Sequence, residues 1–156
     1  MTDTAHSHLP VLAQVLDKYR PRSVLEFGMG FGSTGLFLDR CLSVVSVEMQ
    51  SVEWFHRSQR QFAGHPNRSA WSPVLRLGPD ATWRGLAEYD MVFVDGHGDS
   101  RPEQIRTGME LAPLVVAHDT ETESYGWGRI RDHLPDGWTW TDHKEFGPWT
   151  TVIRCA

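Results

Sequence analysis

The stretch Glu26-Phe27-Gly28-Met29-Gly30-Phe31-Gly32 decides how this chain is read. Ser23-Val24-Leu25 precedes it, a short apolar run with the look of a buried strand. Ser33-Thr34-Gly35-Leu36-Phe37-Leu38 follows it and reads as the start of a helix. Glycines at alternate positions let the main chain turn sharply and approach a ligand closely, because no Cβ intervenes. The next apolar run, Ser43-Val44-Val45-Ser46-Val47, ends in Glu48. A strand, a glycine turn, a helix and a second strand ending in a carboxylate make half of a nucleoside-binding site.

Working outward, the apolar residues Leu9, Val11, Leu12, Val15, Leu16 and Tyr19 recur at helical spacing, and Pro21 stops them. The pattern predicts a helix over about 9–20. Strands are predicted over 23–27, 43–48, 74–77, 90–95, 114–117, 138–143 and 149–154. Helices are predicted over about 33–41, after a Ser51 cap, over 83–88, after Pro102 and over 127–134. The first five strands alternate with helices, which argues for a doubly wound parallel sheet. No helix separates the last two, so they should form an antiparallel hairpin. The expectation is one α/β domain over 1–156, its core at 23–156, with a Rossmann-like seven-stranded sheet.

The chain has 156 residues, 40% of them apolar and 22% charged, with a net charge of −5. An acidic balance argues against a nucleic-acid partner, which would need a basic face. Arg57, Arg60 and Arg68 are the nearest thing to one and read as a solvated helix face and loop. No apolar run approaches the ~20 residues of a membrane span. Cys41 and Cys155 match no zinc or redox spacing. The segment around His6 and His8 has no signal-peptide character, so a cytoplasmic location is expected.

The chain resembles the class I S-adenosylmethionine-dependent methyltransferases. The resemblance rests on Glu26-x-Gly28-x-Gly30-x-Gly32, on Glu48, on Asp80-Ala81, on Asp90-Met91-Val92-Phe93-Val94-Asp95-Gly96 and on the closing hairpin. It implies S-adenosylmethionine as cofactor. Gly28, Gly30 and Gly32 would admit its aminocarboxypropyl arm, and Glu26 would attract the ammonium group directly or through water. Glu48 would accept from the ribose hydroxyls, Met49 would pack on the adenine, and Asp80 and Ala81 would meet its edge. Asp95 would also border the cofactor. A rival fingerprint for a nicotinamide dinucleotide, Gly30-x-Gly32-x-x-Gly35 with Glu48 beyond, is the weaker match.

Within that family the chain is similar to metal-dependent small-molecule O-methyltransferases. The resemblance places Asp95, His118 and Asp119 as ligands of a divalent cation, with His118 where the commoner pattern has a carboxylate. Magnesium prefers oxygen ligands, whereas a histidine admits manganese, iron or zinc. Two routes to the nucleophile stay open: a hydroxyl activated by the metal, or a base supplied by His97 or His118, with Asp95 beside them. The expected acceptor is a small hydroxylated molecule. The acceptor pocket is either open or closed by a second copy in a homo-oligomer. Two other readings are a different reaction of the same cofactor and a non-catalytic cofactor-binding subunit.

Overall fold

The computed structural model describes residues 6–78, 83 and 88–156 of the chain. Their order is α1 (Leu9–Tyr19), β1 (Ser23–Phe27), α2 (Phe31–Arg40), β2 (Ser43–Glu48), α3 (Val52–Gln61) and β3 (Trp71–Leu75). There follow β4 (Met91–Val94), α4 (Arg101–Leu111), β5 (Leu114–His118), α5 (Trp127–Arg131), β6 (Trp138–His143) and β7 (Thr150–Cys155). The strands form one seven-stranded sheet in the order β3-β2-β1-β4-β5-β7-β6. β1 to β5 pair in parallel, and β7 runs antiparallel to both β5 and β6. The doubly wound sheet and terminal hairpin expected from the pattern are therefore present.

Each face of the sheet carries its own core. Val24, Met91, Phe93 and Val116 pack under α1 and α2 with Leu12, Phe37 and Leu38. Leu25, Val92, Val94 and Val115 pack on the other face with Ile105 and Ile130. Every residue of β4 and β5 is buried, as a parallel strand covered on both faces requires. α1 ends at Arg20, in the left-handed conformation, whose N–H donates to the Leu16 carbonyl, and Pro21 blocks a further turn. Ser51 caps α3 by accepting from the Trp54 N–H at 3.1 Å.

β3 differs from the expected 74–77. It begins at Trp71 because the indole is buried and donates to Ser46 Oγ on β2 at 2.9 Å. Pro73 is tolerated there because β3 is an edge strand. α5 stops at Arg131 rather than near 134, with Pro135 and Gly137 following in the turn to β6. The helix expected over 83–88 falls largely outside the described residues. Among the described residues no helix is long and apolar enough to cross a membrane.

Glu26 sits in the middle of this frame with no exposed surface. Its Oε1 accepts from Ser33 Oγ at 2.5 Å, and its Oε2 accepts from Thr34 Oγ1 at 2.6 Å and Ser46 Oγ at 2.5 Å. One carboxyl thus ties β1 to the first turn of α2 and to β2. Burial raises its pKa to about 7, against the opposing pull of the three hydroxyls, and the Asp95 charge adds to the rise. The folded protein keeps a proton that the unfolded chain releases near pH 4.5, so stability should fall as pH rises from about 4.5 to about 7. The drop should be on the order of 3 kcal/mol. Glu26→Gln should remove it, so the difference in urea-unfolding free energy between variant and parent should change across that window. Parallel curves for the two proteins would mean that Glu26 does not titrate there.

Candidate cofactor and acceptor site

The chain leaves β1 toward one sheet edge through β2 and β3, then returns to β4 on the other side of β1. Ligands of open α/β sheets bind at such a switch point, beyond the carboxyl ends of the strands. Gly28 lies there at φ +91, its N–H donating to the Val47 carbonyl of β2 at 2.9 Å. A Cβ at Gly28 would overlap the backbone carbonyl of Asp95. Only glycine therefore lets the loop after β1 close against the end of β4. Gly30 is the N-cap of α2. Gly32 faces α1, where a Cβ would come within 2.8 Å of Leu9 and 2.9 Å of His6. Its bareness serves helix packing on the α1 side.

Glu48, at the end of β2, is almost wholly buried. Its Oε1 accepts from the N–H groups of Gln50 and Ser51 at 2.7 and 3.0 Å. Its Oε2 takes no hydrogen bond from the described residues. Two main-chain donors therefore aim the carboxylate. The thioether of Met49 turns inward, accepting from Gln104 Nε2 at 2.9 Å and the His97 N–H at 3.4 Å. Gly96 makes room for it, since a Cβ there would lie 2.5 Å from the sulfur. Trp54 donates to the Met29 carbonyl at 2.8 Å and stacks on Phe31, pinning the glycine loop from the α3 side. Asp80 and Ala81 lie outside the described residues.

The ends of β4 and β5 bring Asp95, His118 and Asp119 together, with one potential ligand atom from each inside a span of 4.8 Å. Sequence alone predicted that grouping. It did not predict the guanidinium of Arg101 among them. Arg101 Nη2 donates to Asp95 Oδ1 at 2.9 Å, and Nη1 lies 3.2 Å from Asp119 Oδ2. Nη1 also donates to the His118 carbonyl at 2.6 Å, and Nε donates to the Gly96 carbonyl at 2.8 Å. The Tyr125 ring covers the guanidinium 4.4 Å from Cζ. A signal for Arg101 was present. An arginine opening a helix works against the macrodipole unless anions hold it there.

The histidines divide. His97 is half exposed, and its Nδ1 accepts from the Asp99 N–H at 3.4 Å, capping the short turn before α4. It stands apart from the Asp95–His118–Asp119 group. His118 is buried, with Nδ1 3.2 Å from Thr150 Oγ1 and Nε2 3.3 Å from Asp119 Oδ1 and 3.4 Å from Ser7 Oγ. His8, at the start of α1, packs its ring 4.7 Å from that of His118 and is held neutral, its pKa lowered to about 3 by burial and by neighbouring positive charge. Burial raises the Asp95 pKa, while Arg101 and His118 pull it down and Asp119 adds to the rise. Asp119 adopts the left-handed conformation, φ 56, which turns the chain off β5 at once. A divalent ion beside these carboxylates would meet the guanidinium charge. Unit charges 4 Å apart interact by about 4 kcal/mol at an effective dielectric of ~20, and a divalent ion doubles that.

No family model matches the chain, and no curated protein sequence matches it. Solved structures do. A candidate methyltransferase from Streptococcus mutans in complex with SAH superposes with a TM-score of 0.74 at 10% identity, covering 95% of this chain and 97% of that one. A candidate caffeoyl-CoA O-methyltransferase from Staphylococcus aureus gives 0.73 at 12% identity, covering 95% and 82%. A candidate rRNA-methylase from Clostridium thermocellum also gives 0.73 at 12% identity, covering 95% and 97%.

Gly28→Ala should cost about 2 kcal/mol or more in urea unfolding, because φ is positive and the added methyl meets backbone that cannot swing aside. A loss below about 0.5 kcal/mol would mean that the loop does not close on Asp95. The strand order, the glycine turn after β1 and these superpositions together give the chain the fold of the class I S-adenosylmethionine-dependent methyltransferases.

Proposed function

We propose that the chain transfers a methyl group from S-adenosylmethionine to a hydroxyl of a small molecule. The observation that carries this reading is the Glu48 carboxylate, fixed through Oε1 by two main-chain N–H groups beside the Gly28 loop. A carboxylate so held suits a ribose diol, since its other oxygen has lone pairs for the hydroxyls. The solved relative that carries SAH supports the choice of cofactor. Glu26 would act on the ammonium end only at a distance, because both its oxygens already accept from hydroxyls.

The acceptor would meet the Asp95 end of the site. Its hydroxyl oxygen attacks the sulfonium methyl, the carbon–sulfur bond breaks with its electrons going to sulfur, and the hydroxyl proton passes to a base. Asp95 suits that role best. Both ring nitrogens of His118 already have partners, Asp119 at Nε2 and Thr150 at Nδ1. The Nδ1 of His97 is engaged by the Asp99 N–H, and the ring stands apart from the Asp95 group. Asp95 gives one oxygen to Arg101 and keeps the other, and burial raises its affinity for a proton.

A small acceptor is favoured over nucleic acid, although rRNA methylases share the fold. The net charge is −5. Arg57 stacks over Phe31 and Trp54, Arg68 over Trp71, and Arg40 pairs with Asp17, so these arginines are spent locally. Methyl-labelled donor offered to phenols, catechols, sugars and rRNA should label a small molecule. Labelled rRNA alone would overturn the acceptor class. Donor consumed without any methylated product would point to a different reaction, and binding without turnover to a cofactor-holding subunit.

Glu48→Ala should weaken S-adenosylhomocysteine binding by roughly 1.5–3 kcal/mol in calorimetry, the worth of hydrogen bonds to a charged acceptor. Unchanged affinity would remove Glu48 from the ribose site. Asp95→Asn should lower kcat by about 10²–10⁴ while leaving that affinity intact. Equal losses in both would make Asp95 a cofactor ligand instead.

A further inference from the structure

The geometry points to Arg101 as a built-in cation that takes the place of a divalent metal between Asp95 and Asp119. The inference rests on the reading of these carboxylates as the acceptor side of the methyl-transfer site, but its test needs no turnover.

The donor set looks like a metal site: two carboxylates and an imidazole within 4.8 Å. The charge requirement of that set is already met. Arg101 contacts Asp95 Oδ1 through Nη2 and Asp119 Oδ2 through Nη1, at 2.9 and 3.2 Å. Two backbone carbonyls, of Gly96 and His118, take further N–H groups of the same fork. These carbonyls belong to the ends of β4 and β5, so the guanidinium is locked to both strands. Tyr125 closes its exposed face. A group held by four acceptors and a ring does not swing away to admit an ion. His118 is likewise occupied at both ring nitrogens, by Thr150, Asp119 and Ser7.

The guanidinium is suited to this duty because it is planar, permanently charged and able to serve several oxygens at once. It lowers the cost of burying two carboxylates side by side, as a metal would. It also fixes Asp95 through one oxygen, so that the other keeps a constant direction toward the acceptor. Arg101 is thus a positioning residue, acting on the hydroxyl through Asp95.

Binding of manganese(II), followed by its electron paramagnetic resonance signal and by calorimetry, separates the possibilities. The parent protein should take up no stoichiometric manganese or magnesium, and EDTA should change neither its melting temperature nor its affinity for S-adenosylhomocysteine. Arg101→Gln frees the carboxylates and should gain a manganese site, which Asp119→Asn in the same background should abolish. Arg101→Lys keeps a positive charge and should gain none. A purely structural arginine would give a weaker fold in both Arg101 variants and a metal site in neither. The inference is overturned if the parent binds one manganese that Asp119→Asn removes. It is also overturned if Arg101→Gln retains S-adenosylhomocysteine binding yet takes up no ion. Should Arg101→Gln fail to fold, the parent titration still decides. Loss of the methyl-transfer reading itself would show as absent S-adenosylhomocysteine binding in the parent, an outcome separate from every metal measurement.

Discussion

A carboxyl group buried under the first strand holds the site together. Ionised or not, Glu26 needs partners in a place that water does not reach, since a buried polar group left unpaired costs ~1–3 kcal/mol. Ser33 and Thr34 from the first turn of α2 and Ser46 from β2 supply them. Ser46 also accepts from the indole of Trp71, which extends the tie to β3. The start of α2 is therefore fixed relative to β1, β2 and β3 at once. The glycine loop, strung between β1 and α2, inherits its position from that anchor. Gly28 then has only one place to lie, against the Asp95 carbonyl, and its positive φ follows from that confinement.

The Arg101 guanidinium does for β4 and β5 what Glu26 does for β1 and β2. It joins the carbonyl ends of two strands and two side-chain carboxylates in one fork. The two anchors communicate through Asp95, whose charge raises the pKa of Glu26 and whose oxygen receives a guanidinium N–H. Between them lies the surface left for a ligand: the Gly28 loop, the aimed carboxylate of Glu48 and the free side of Asp95. The rigid polar ties are on the inside of this surface, so the groups facing outward are oriented before any ligand arrives. Such preorganisation matters when positioning is much of the catalytic task.

What could be read from the sequence follows the range of each interaction. Apolar runs at 23–27, 43–48 and 114–117 mark strands because a doubly covered parallel sheet demands them locally. Ser51 before Trp54 marks a cap because the donor is three residues away. The start of β3 was not visible, since Ser72 and Pro73 interrupt the apolar run and the indole bond that fixes Trp71 reaches across to β2. The motif points Glu26 at the cofactor's ammonium group, whereas both its oxygens accept from hydroxyls. A carboxylate near the end of a strand has the same spelling whether it faces a ligand or three hydroxyls. Asp95, His118 and Asp119 could be grouped because adjacent strand ends must meet. The partner Arg101 could not be placed, as its fork closes only when β5 lies beside β4 and the chain after Gly96 turns back over both.

A side chain and a metal ion solve the same electrostatic problem at this strand end, but with different consequences. An ion polarises a bound hydroxyl strongly and exchanges with solvent. A guanidinium is a weaker electrophile that never dissociates and cannot be chelated. With the ion, the acceptor proton is lost because its oxygen sits on the metal. With the guanidinium, under the proposed reading, the oxygen would stand near a carboxylate with a raised proton affinity, which burial gives Asp95. Tyr125 and the N-terminal pair Ser7 and His8 cover this cluster from two sides, which keeps water from competing for the carboxylate. The same burial that makes two neighbouring carboxylates costly without a cation is what raises the proton affinity of Asp95.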